Sequence, residues 1–290
     1  MWQANYVKAA LESAHPGLAV EIIGMTTQGD RDKSTPLERM GGKGVFVKEL
    51  ELALMEERVD IAVHSMKDVP SELPNGLGIV AICEREDPRD AFVSNHHQSF
   101  EELPAGARVG SSSLRRRLQM TARRPELEYA DVRGNVESRL AKLDNGDFDA
   151  IVLAVAGLKR LGLEDRVGQP MATEDSTPSA GQGAVGIEAR LDDQVTLQLL
   201  AAINHQDTFD RVTCERVIST KLGASCELPV AAFAMLEGEE LVLNTYVGGA
   251  DMNLRKSGRS ARQAGIELAE DLAEQLLQAG AAELLNKLNR

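Results

Sequence analysis

Short apolar runs alternate with segments of helical spacing along most of the chain, and this alternation limits the fold more than any other feature. Residues 44–57 illustrate the helical spacing, with Val47, Leu50 and Leu54 recurring at the period of a helix. The predicted helices cover residues 2–14, 44–57, 113–124, 135–145, 192–203, 207–221 and 262–278. The predicted strands cover residues 18–25, 59–65, 77–83, 90–94, 127–132, 149–155 and 184–190. Helices alternating with strands are typical of α/β layers, and we expect largely parallel sheets.

The C-terminal part of the chain has a different pattern. Residues 229–236 and 240–249 predict an antiparallel pair, which precedes the helix at 262–278. A chain of 290 residues accommodates roughly two or three domains. We therefore expect two α/β domains and a smaller C-terminal α+β domain. The predicted boundaries place residues 1–84 and 184–203 in the first domain, 88–180 in the second and 206–290 in the third.

Charge and composition exclude several classes of protein. The net charge of −13 and aromatic content of 3% argue against a nucleic-acid binder, because phosphate contacts need a basic surface and base stacking needs aromatic rings. No apolar run approaches the roughly 18 residues of a membrane span. Three cysteines without CxxC spacing argue against a disulfide scaffold or structural zinc site and fit a reducing cytoplasm. We expect a small-molecule substrate, no membrane partner and no metal.

The stretch 108–139 concentrates positive charge, with eight arginines against four acidic residues. Its "GSSSL" segment is typical of a helix start, where hydroxyls and free backbone N–H groups can receive an anion. Arginines one turn further can clamp a carboxylate or phosphate. For Arg117, Arg123 and Arg124 a solvated helix face is the favoured interpretation. An anion site is favoured for Arg115, Arg116, Arg133 and Arg139.

Three further stretches have both a functional and a structural interpretation. Lys43 lies between glycines before a helix, which fits either a mobile cationic loop or an ordinary first helical turn. The strand in "AVHSMKDVP" (62–70) ends in polar groups, where open α/β sheets bind ligands. Taken alone, Lys67 beside Asp68 is more commonly a surface pair, and His64 fits a core histidine equally well. "GQGAVG" (181–186) matches a dinucleotide motif literally, but it precedes a strand, so we interpret its glycines as tight turns at a domain junction.

The three cysteines differ in their surroundings. Cys83 lies in a predicted strand and Cys214 on an apolar helix face, so core burial is favoured for both. Cys226 follows a helix in the loop "LGASC", and loops held by a scaffold often carry function. A reactive thiol at Cys226 and an ordinary one both remain open from local sequence.

Seven motifs occur in one order along the chain: "GGKGVFVKELE", "DIAVHSMKDVP", "CEREDPRDAF", "GSSSLRRR", "RGNVESRLAKLDNGDFDAIVLAVAGLKRLGL", "PSAGQGAVGIE" and the cysteine loop. In these motifs, and over nearly its whole length, the chain resembles the porphobilinogen deaminase, or hydroxymethylbilane synthase, family. The resemblance implies two lobes like those of periplasmic binding proteins, an active cleft between them and a third domain. It also implies a monomeric cytoplasmic transferase of haem biosynthesis that joins four porphobilinogen units head to tail, releases ammonia each time and frees a linear tetrapyrrole.

The resemblance also implies roles for individual residues. Cys226 matches the cysteine that carries a covalent dipyrromethane cofactor, and Asp68 matches the catalytic aspartate. The implied cofactor-binding residues are Lys67, Asp68, Ser113, Arg115, Arg116 and Cys226. The implied substrate-binding residues are Lys43, Phe46, Arg85, Ser111, Ser112, Arg133, Arg139 and Arg160.

The chain departs from the family pattern in two places. The cysteine loop reads "LGASC" where much of the family has Glu-Gly-Gly or Gly-Gly before the cysteine. The family also begins with a strand bearing Arg-x-Ser-x-Leu-Ala before the Trp-Gln-Ala that opens this chain, so we expect Met1 to be internal to a longer natural chain. The alternatives are a non-catalytic anion-binding module of periplasmic-binding-protein type and an inactive truncated form of the enzyme.

Overall fold

The computed structural model describes residues 1–25, 47–224, 228–249 and 252–288. These residues form three β-sheets, each packed against helices. The helices are α1 (Trp2–Ala14), α2 (Lys48–Met55), α3 (Leu114–Arg123), α4 (Val136–Asp144), α5 (Val155–Lys159), α6 (Gln194–Ala201), α7 (Gln206–Lys221), α8 (Gly265–Gln278) and α9 (Ala281–Leu288). The strands are β1 (Ile61–Ser65), β2 (Leu77–Ile82), β3 (Asp90–Val93), β4 (Arg108–Gly110), β5 (Glu128–Ala130), β6 (Ala150–Ala154), β7 (Gln169–Pro170), β8 (Val185–Arg190), β9 (Val230–Glu237), β10 (Glu240–Gly248) and β11 (Asn253–Ala261).

The first lobe, formed by α1, α2, β1, β2, β8 and α6, has a three-stranded sheet in the order β1–β8–β2. Helix α1 buries Val7 and Leu11 against a core that includes Ile187 of β8, because these apolar positions recur every four residues on one helix face. Strand β8 lies far along the chain from β1 and β2. The first lobe is therefore completed by a segment that returns after the second lobe.

The second lobe, from β3 to β7, has a five-stranded sheet in the order β5–β4–β6–β3–β7. Its central strand β6 is buried on both faces, and one apolar cluster lies on each side of the sheet. Phe92 and Phe100 pack edge to face in one cluster, with ring centroids 6.3 Å apart. The start of α3, which follows β4, is therefore held by a sheet that is packed on both faces.

The expectation of largely parallel sheets is wrong. Strand β8 is antiparallel to both β1 and β2, and β3 is antiparallel to both β6 and β7. Among the described strands, parallel pairing is confined to β4 with its neighbours β5 and β6. The chain passes from one lobe to the other just before β3 and again just before β8. The alternation of helix and strand along the sequence does not show whether a strand that follows such a crossing runs parallel or antiparallel to its neighbours.

The predicted strand at 18–25 is also wrong. Leu18 and Val20 pack beside the first-lobe core, but no described strand pairs with this segment. The Val20 N–H donates to the Glu12 carboxylate at 3.1 Å instead of to a strand carbonyl. A strand requires a partner edge, and an apolar run does not show whether one is available.

The C-terminal unit, from α7 to α9, has an antiparallel sheet in the order β11–β10–β9 with α7 and α8 packed on it. The predicted antiparallel pair is confirmed as β9 and β10. Together with the two mixed α/β lobes, this unit confirms the expected fold class. The domain boundaries themselves stay a prediction. None of the helices in the described part of the chain is long and apolar enough to cross a membrane.

Candidate active site

A cleft of about 590 Å³ lies where the two lobes and the C-terminal unit meet. The turn after β1, the start of α3, helix α4, the segment before β8 and helix α7 all contribute to its walls. Its polar lining residues include Lys67, Asp68, Ser112, Ser113, Arg115, Arg116, Arg139, Gln182, Arg216 and Ser219. The structure therefore brings together side chains from all three parts of the chain, and several of them are the predicted site residues.

The start of α3 is built from the three serines of "GSSSL". Ser113 is the N-cap and accepts a hydrogen bond from the Arg116 N–H, while Ser111 accepts one from the Ser113 N–H. The Ser112 hydroxyl donates to the Val132 carbonyl. Ser112 and Ser113 line the cleft, and Ser111 is buried behind them. The hydroxyls thus fix the first turn of α3, from which the two following arginines extend.

Arg115 and Arg116 share one buried carboxylate, that of Asp90 at the start of β3. Arg115 Nη1 and Nη2 lie 2.9 and 3.1 Å from its two oxygens, and Arg116 Nε lies 2.8 Å from Oδ1. Burial opposes ionisation of Asp90, but the two guanidinium groups outweigh it and hold the pKa of the carboxyl well below its usual range. One negative charge therefore faces two positive charges, which leaves net positive charge at the cleft.

Lys67 and Asp68 lie in a 3-10 turn, Met66–Asp68, that follows directly from β1. Burial lowers the pKa of Lys67 and nearby Arg116 adds to this, while the negative charge of Asp68 opposes it. The Asp68 side chain is exposed to the cleft, and it makes no hydrogen bond or ion pair with any residue that the structure describes. A carboxylate that has no partner among the described residues and lies beside a cluster of cations is available to a ligand.

The glycines of "GQGAVG" form the support for this turn. Gly181 has a φ of +71°, and a Cβ there would lie 2.6 Å from Met66 Cβ and 3.1 Å from the Met66 carbonyl carbon. Gly183 has a φ of +88°. These left-handed conformations confirm the tight-turn interpretation, and the close approach to Met66 explains why no side chain fits at position 181.

Arg139 and Arg133 differ in position, although sequence suggested the same role for both. Arg139 Nε donates to the Gly134 carbonyl at 2.7 Å, and its guanidinium lines the cleft. Burial lowers the pKa of Arg139, and Arg116 adds to this effect. Arg133 is exposed, lies 3.9 Å from Asp131 and is not among the cleft-lining residues.

Arg160 and Arg85 lie at the junction behind the cleft. Arg160 Nη2 donates to the Gly183 carbonyl at 2.7 Å, and its buried Nε has no hydrogen-bond partner among the described residues. Arg85 instead makes a two-pronged ion pair with Glu215 of α7, at 2.6 and 3.1 Å, and lies 5.2 Å from the Phe233 ring centroid. This geometry connects Arg85 to the C-terminal unit; its predicted role in binding substrate stays a prediction.

Lys43, Phe46 and Cys226 lie outside the described residues. Ala224 and Leu228, which flank residues 225–227, both line the cleft. The other two thiols are buried as predicted: desolvation raises the pKa of Cys83 and of Cys214 to about 11. His64 is confirmed as a core histidine, since its Nε2 lies 2.8 Å from Glu188 in the first lobe. The described residues contain no cluster of His, Cys, Asp or Glu that could hold a metal ion.

Two family models match the chain. "Porphobilinogen deaminase, dipyromethane cofactor binding domain" matches residues 1–198, and "Porphobilinogen deaminase, C-terminal domain" matches residues 209–278. The chain belongs to the porphobilinogen deaminase family. The first match contains the cleft residues of both lobes, and the second contains Arg216, Ser219 and Cys226.

Solved structures similar to the chain include two binding proteins. An ABC transporter periplasmic substrate-binding protein from Coxiella burnetii is 15% identical, with 71% of this chain and 89% of that chain covered and a TM-score of 0.43. A nutrient binding protein from Burkholderia cenocepacia, solved bound to methionine, is 15% identical, with 68% and 86% covered and a TM-score of 0.43.

Sequence reasoning missed three residues that shape the cleft. Asp90 lies within the motif "CEREDPRDAF", but its pairing with arginines 25 and 26 positions away has no local signal. Gln182 Nε2 donates to Asp90 at 2.9 Å. Arg216 lies on α7 and reaches across to the turn that carries Asp68, 147 positions earlier in the chain, so its contact also has no local signal.

Proposed function

We propose that the protein is a hydroxymethylbilane synthase that joins four porphobilinogen units head to tail, with loss of ammonia at each addition, and releases a linear tetrapyrrole. The observation that carries the proposal is the convergence of Lys67, Arg115, Arg116 and Arg139 on one cleft, in a chain of the porphobilinogen deaminase family. The same cleft holds the carboxylate of Asp68, which pairs with none of the described residues. We also propose that the protein is a monomer and acts in the cytoplasm.

The charges of the cleft suit this substrate. Each porphobilinogen carries an acetate and a propionate group, so a growing chain accumulates negative charge. A protein with a net charge of −13 must concentrate cations locally to attract it. Guanidinium groups can bind carboxylates through paired hydrogen bonds, and the single counter-charge of Asp90 leaves Arg115 and Arg116 with excess positive charge.

Asp68 is suited to the chemical step. Loss of ammonia from porphobilinogen leaves a cationic methylene-pyrrole, and a carboxylate facing the pyrrole N–H stabilises that charge as it forms. The same carboxylate assists removal of the proton when the new ring becomes aromatic again. Because Asp68 has no partner among the described residues, its oxygens are free for both tasks.

The donor set also fits a dipyrromethane cofactor. Lys67, Arg115, Arg116 and Ser113 provide cations and a hydroxyl for its acidic side chains, and Asp68 provides an acceptor for its pyrrole N–H groups. In the proposal Cys226 holds it through a thioether, which unlike an ester survives the final hydrolysis. When bound, the cofactor supplies the free pyrrole position to which the first substrate unit is joined.

Intact mass spectrometry of the purified protein tests the tether. We expect the mass of the chain plus one dipyrromethane, loss of this increment in Cys226→Ala, and its retention in the matched cysteine variant Cys214→Ala. Porphobilinogen consumption and ammonia release should disappear with the increment. Binding of porphobilinogen without ammonia release would instead identify a non-catalytic anion-binding module.

A further inference from the structure

Arg216 of helix α7 reaches from the C-terminal unit to the turn that carries Asp68. Its Nη1 donates to the Val69 carbonyl at 3.1 Å, and its Nη2 donates to the Pro70 carbonyl at 2.7 Å. The two acceptors are the residues immediately after Asp68. One planar guanidinium therefore fixes two successive peptide groups in the first lobe.

The position of Asp68 depends on this backbone, because its side chain has no partner of its own in the described part of the chain. At the start of the turn, the Met66 N–H donates to the Ala184 carbonyl at 3.1 Å. Within the turn, the Val69 N–H donates to the Met66 carbonyl at 3.3 Å. At the end of the turn, Arg216 donates the two hydrogen bonds to the Val69 and Pro70 carbonyls, and these are the side-chain contacts that the described residues make there.

The charge of Arg216 is not used in an ion pair with any residue of the described ranges. Among the described residues no carboxylate pairs with it, although Glu188 lies near enough to raise the pKa of Arg216 against the larger lowering effect of burial. A partly buried guanidinium that binds neutral carbonyls gains less than one paired with a carboxylate. The contribution of these hydrogen bonds to stability therefore does not by itself explain why Arg216 lies here. Its role in fixing the two carbonyls beside Asp68 explains the position better.

Helix α7 ends at Lys221, shortly before Cys226. Arg216 therefore connects the helix that leads to this cysteine, in the C-terminal unit, with the turn that bears Asp68, in the first lobe. Movement of the C-terminal unit relative to the first lobe would pull directly on the peptide groups beside Asp68.

We propose that Arg216 is a positioning residue, which holds the Asp68 carboxylate at a fixed place in the cleft through the Val69 and Pro70 carbonyls. This inference deepens the proposed function and rests on it for the role of Asp68. A displacement of about 1 Å in a catalytic group can lower the rate of the chemical step about a hundredfold. Loss of positioning should therefore lower kcat while the cations that bind substrate remain in place.

Arg216→Met removes both hydrogen bonds and keeps a long apolar stem. In hydrogen-exchange mass spectrometry of the full chain, we expect faster exchange of the amides in residues 66–73. With porphobilinogen as substrate, we expect kcat to fall by about ten- to a hundredfold and KM to stay within about twofold. Arg216→Lys keeps a donor without the forked geometry and should give intermediate exchange and kcat.

Arg262→Gln is the matched control, because Arg262 also contacts α7, through Asp207 and Asp210 at 2.7 Å each, but lies away from the cleft. It should leave exchange over 66–73 and kcat unchanged. Unchanged exchange over residues 66–73 in Arg216→Met overturns the proposal. A KM that rises in Arg216→Met and returns to the unmodified value in Arg216→Lys also overturns it, because Arg216 would then be a substrate ligand. If the unmodified chain consumes no porphobilinogen, the proposed function fails while hydrogen exchange still decides whether Arg216 anchors the turn.

Discussion

Replacing Asp90 by asparagine should destabilise the protein more than any comparable change at its surface. The Asp90 carboxylate accepts hydrogen bonds from Arg115 twice, from Arg116, from Ser176 and from Gln182, at distances of 2.6 to 3.1 Å. Asparagine removes the charge and turns an amide NH₂ toward these donors. Arg115 and Arg116 are then two buried like charges without a counter-charge.

Breaking a buried ion pair by removing one partner costs about 3–5 kcal/mol. At about 2–4 °C per kcal/mol for a domain of this size class, the apparent Tm should fall by roughly 6–20 °C. Asp131→Asn is a matched control, since Asp131 also lies between two arginines, 2.6 Å from Arg117 and 3.9 Å from Arg133, but is 47% exposed. Exposed pairs contribute less than about 1 kcal/mol, so this variant should melt close to the unmodified chain.

The dependence on pH provides an independent check. The folded-state pKa of Asp90 lies below its unfolded value of 3.8, so its stabilising contribution is complete above that value and is lost as the pH falls toward the folded-state pKa. Thermal melts followed by circular dichroism should show a constant gap between Asp90→Asn and the unmodified chain above pH 5, narrowing below about pH 4. Equal losses in Asp90→Asn and Asp131→Asn, or a gap that does not narrow in acid, would refute this reasoning.

Three further predictions address the turn, the thiols and the chemical step. Gly181→Ala should lower the free energy of unfolding, measured by urea titration, by more than about 2 kcal/mol, because it combines a left-handed φ with contact against the turn. Gly146→Ala, at a φ of +80° with open space around the position, should cost about 1–2 kcal/mol in the same titration. Cys83 and Cys214 should stay unlabelled by iodoacetamide at pH 7 in the folded protein and react in urea, as peptide mapping would show; rapid labelling of either without denaturant would contradict their burial. Asp68→Asn should keep the melting temperature and the cofactor mass but lose most turnover, and near-normal turnover would remove Asp68 from the mechanism.

Sequence predicted local elements well where apolar spacing is set by one packed face. Helix 2–14 is confirmed as Trp2–Ala14, and helix 113–124 as Leu114–Arg123 with its serine N-cap. Strand β11 was missed because it is an edge strand without a buried residue, and its sequence "NLRKSGRSA" has no apolar period to detect. The direction of β8 was missed because its neighbours come from a part of the chain more than 100 residues earlier.

The same limit applies to the candidate site. Charge clusters and strand ends are local features, and the arginine-rich stretch and "SMKDVP" therefore identified these cleft-lining residues: Lys67, Asp68, Ser112, Ser113, Arg115, Arg116 and Arg139. Which arginine faces the cleft is decided by distant partners: Arg85 meets Glu215 130 positions away, and Arg216 meets Val69 147 positions away. The sequence around each arginine does not indicate either partner. The three-dimensional structure is therefore needed to show which arginines contact other parts of the protein and which face the cleft.

The partner of each arginine indicates how much charge it gives to the cleft. Arg85 faces the fully buried Glu215, so its charge is neutralised where the C-terminal unit joins the lobes. The cleft-lining Arg139 is instead oriented by the Gly134 main-chain carbonyl, and within the described ranges it forms no ion pair. A carbonyl fixes direction without cancelling charge, whereas a carboxylate does both. An acidic protein can therefore keep a cationic cleft by orienting such arginines with backbone carbonyls, and the lowered pKa of the partly buried Arg139 reflects the desolvation that an anionic ligand would offset.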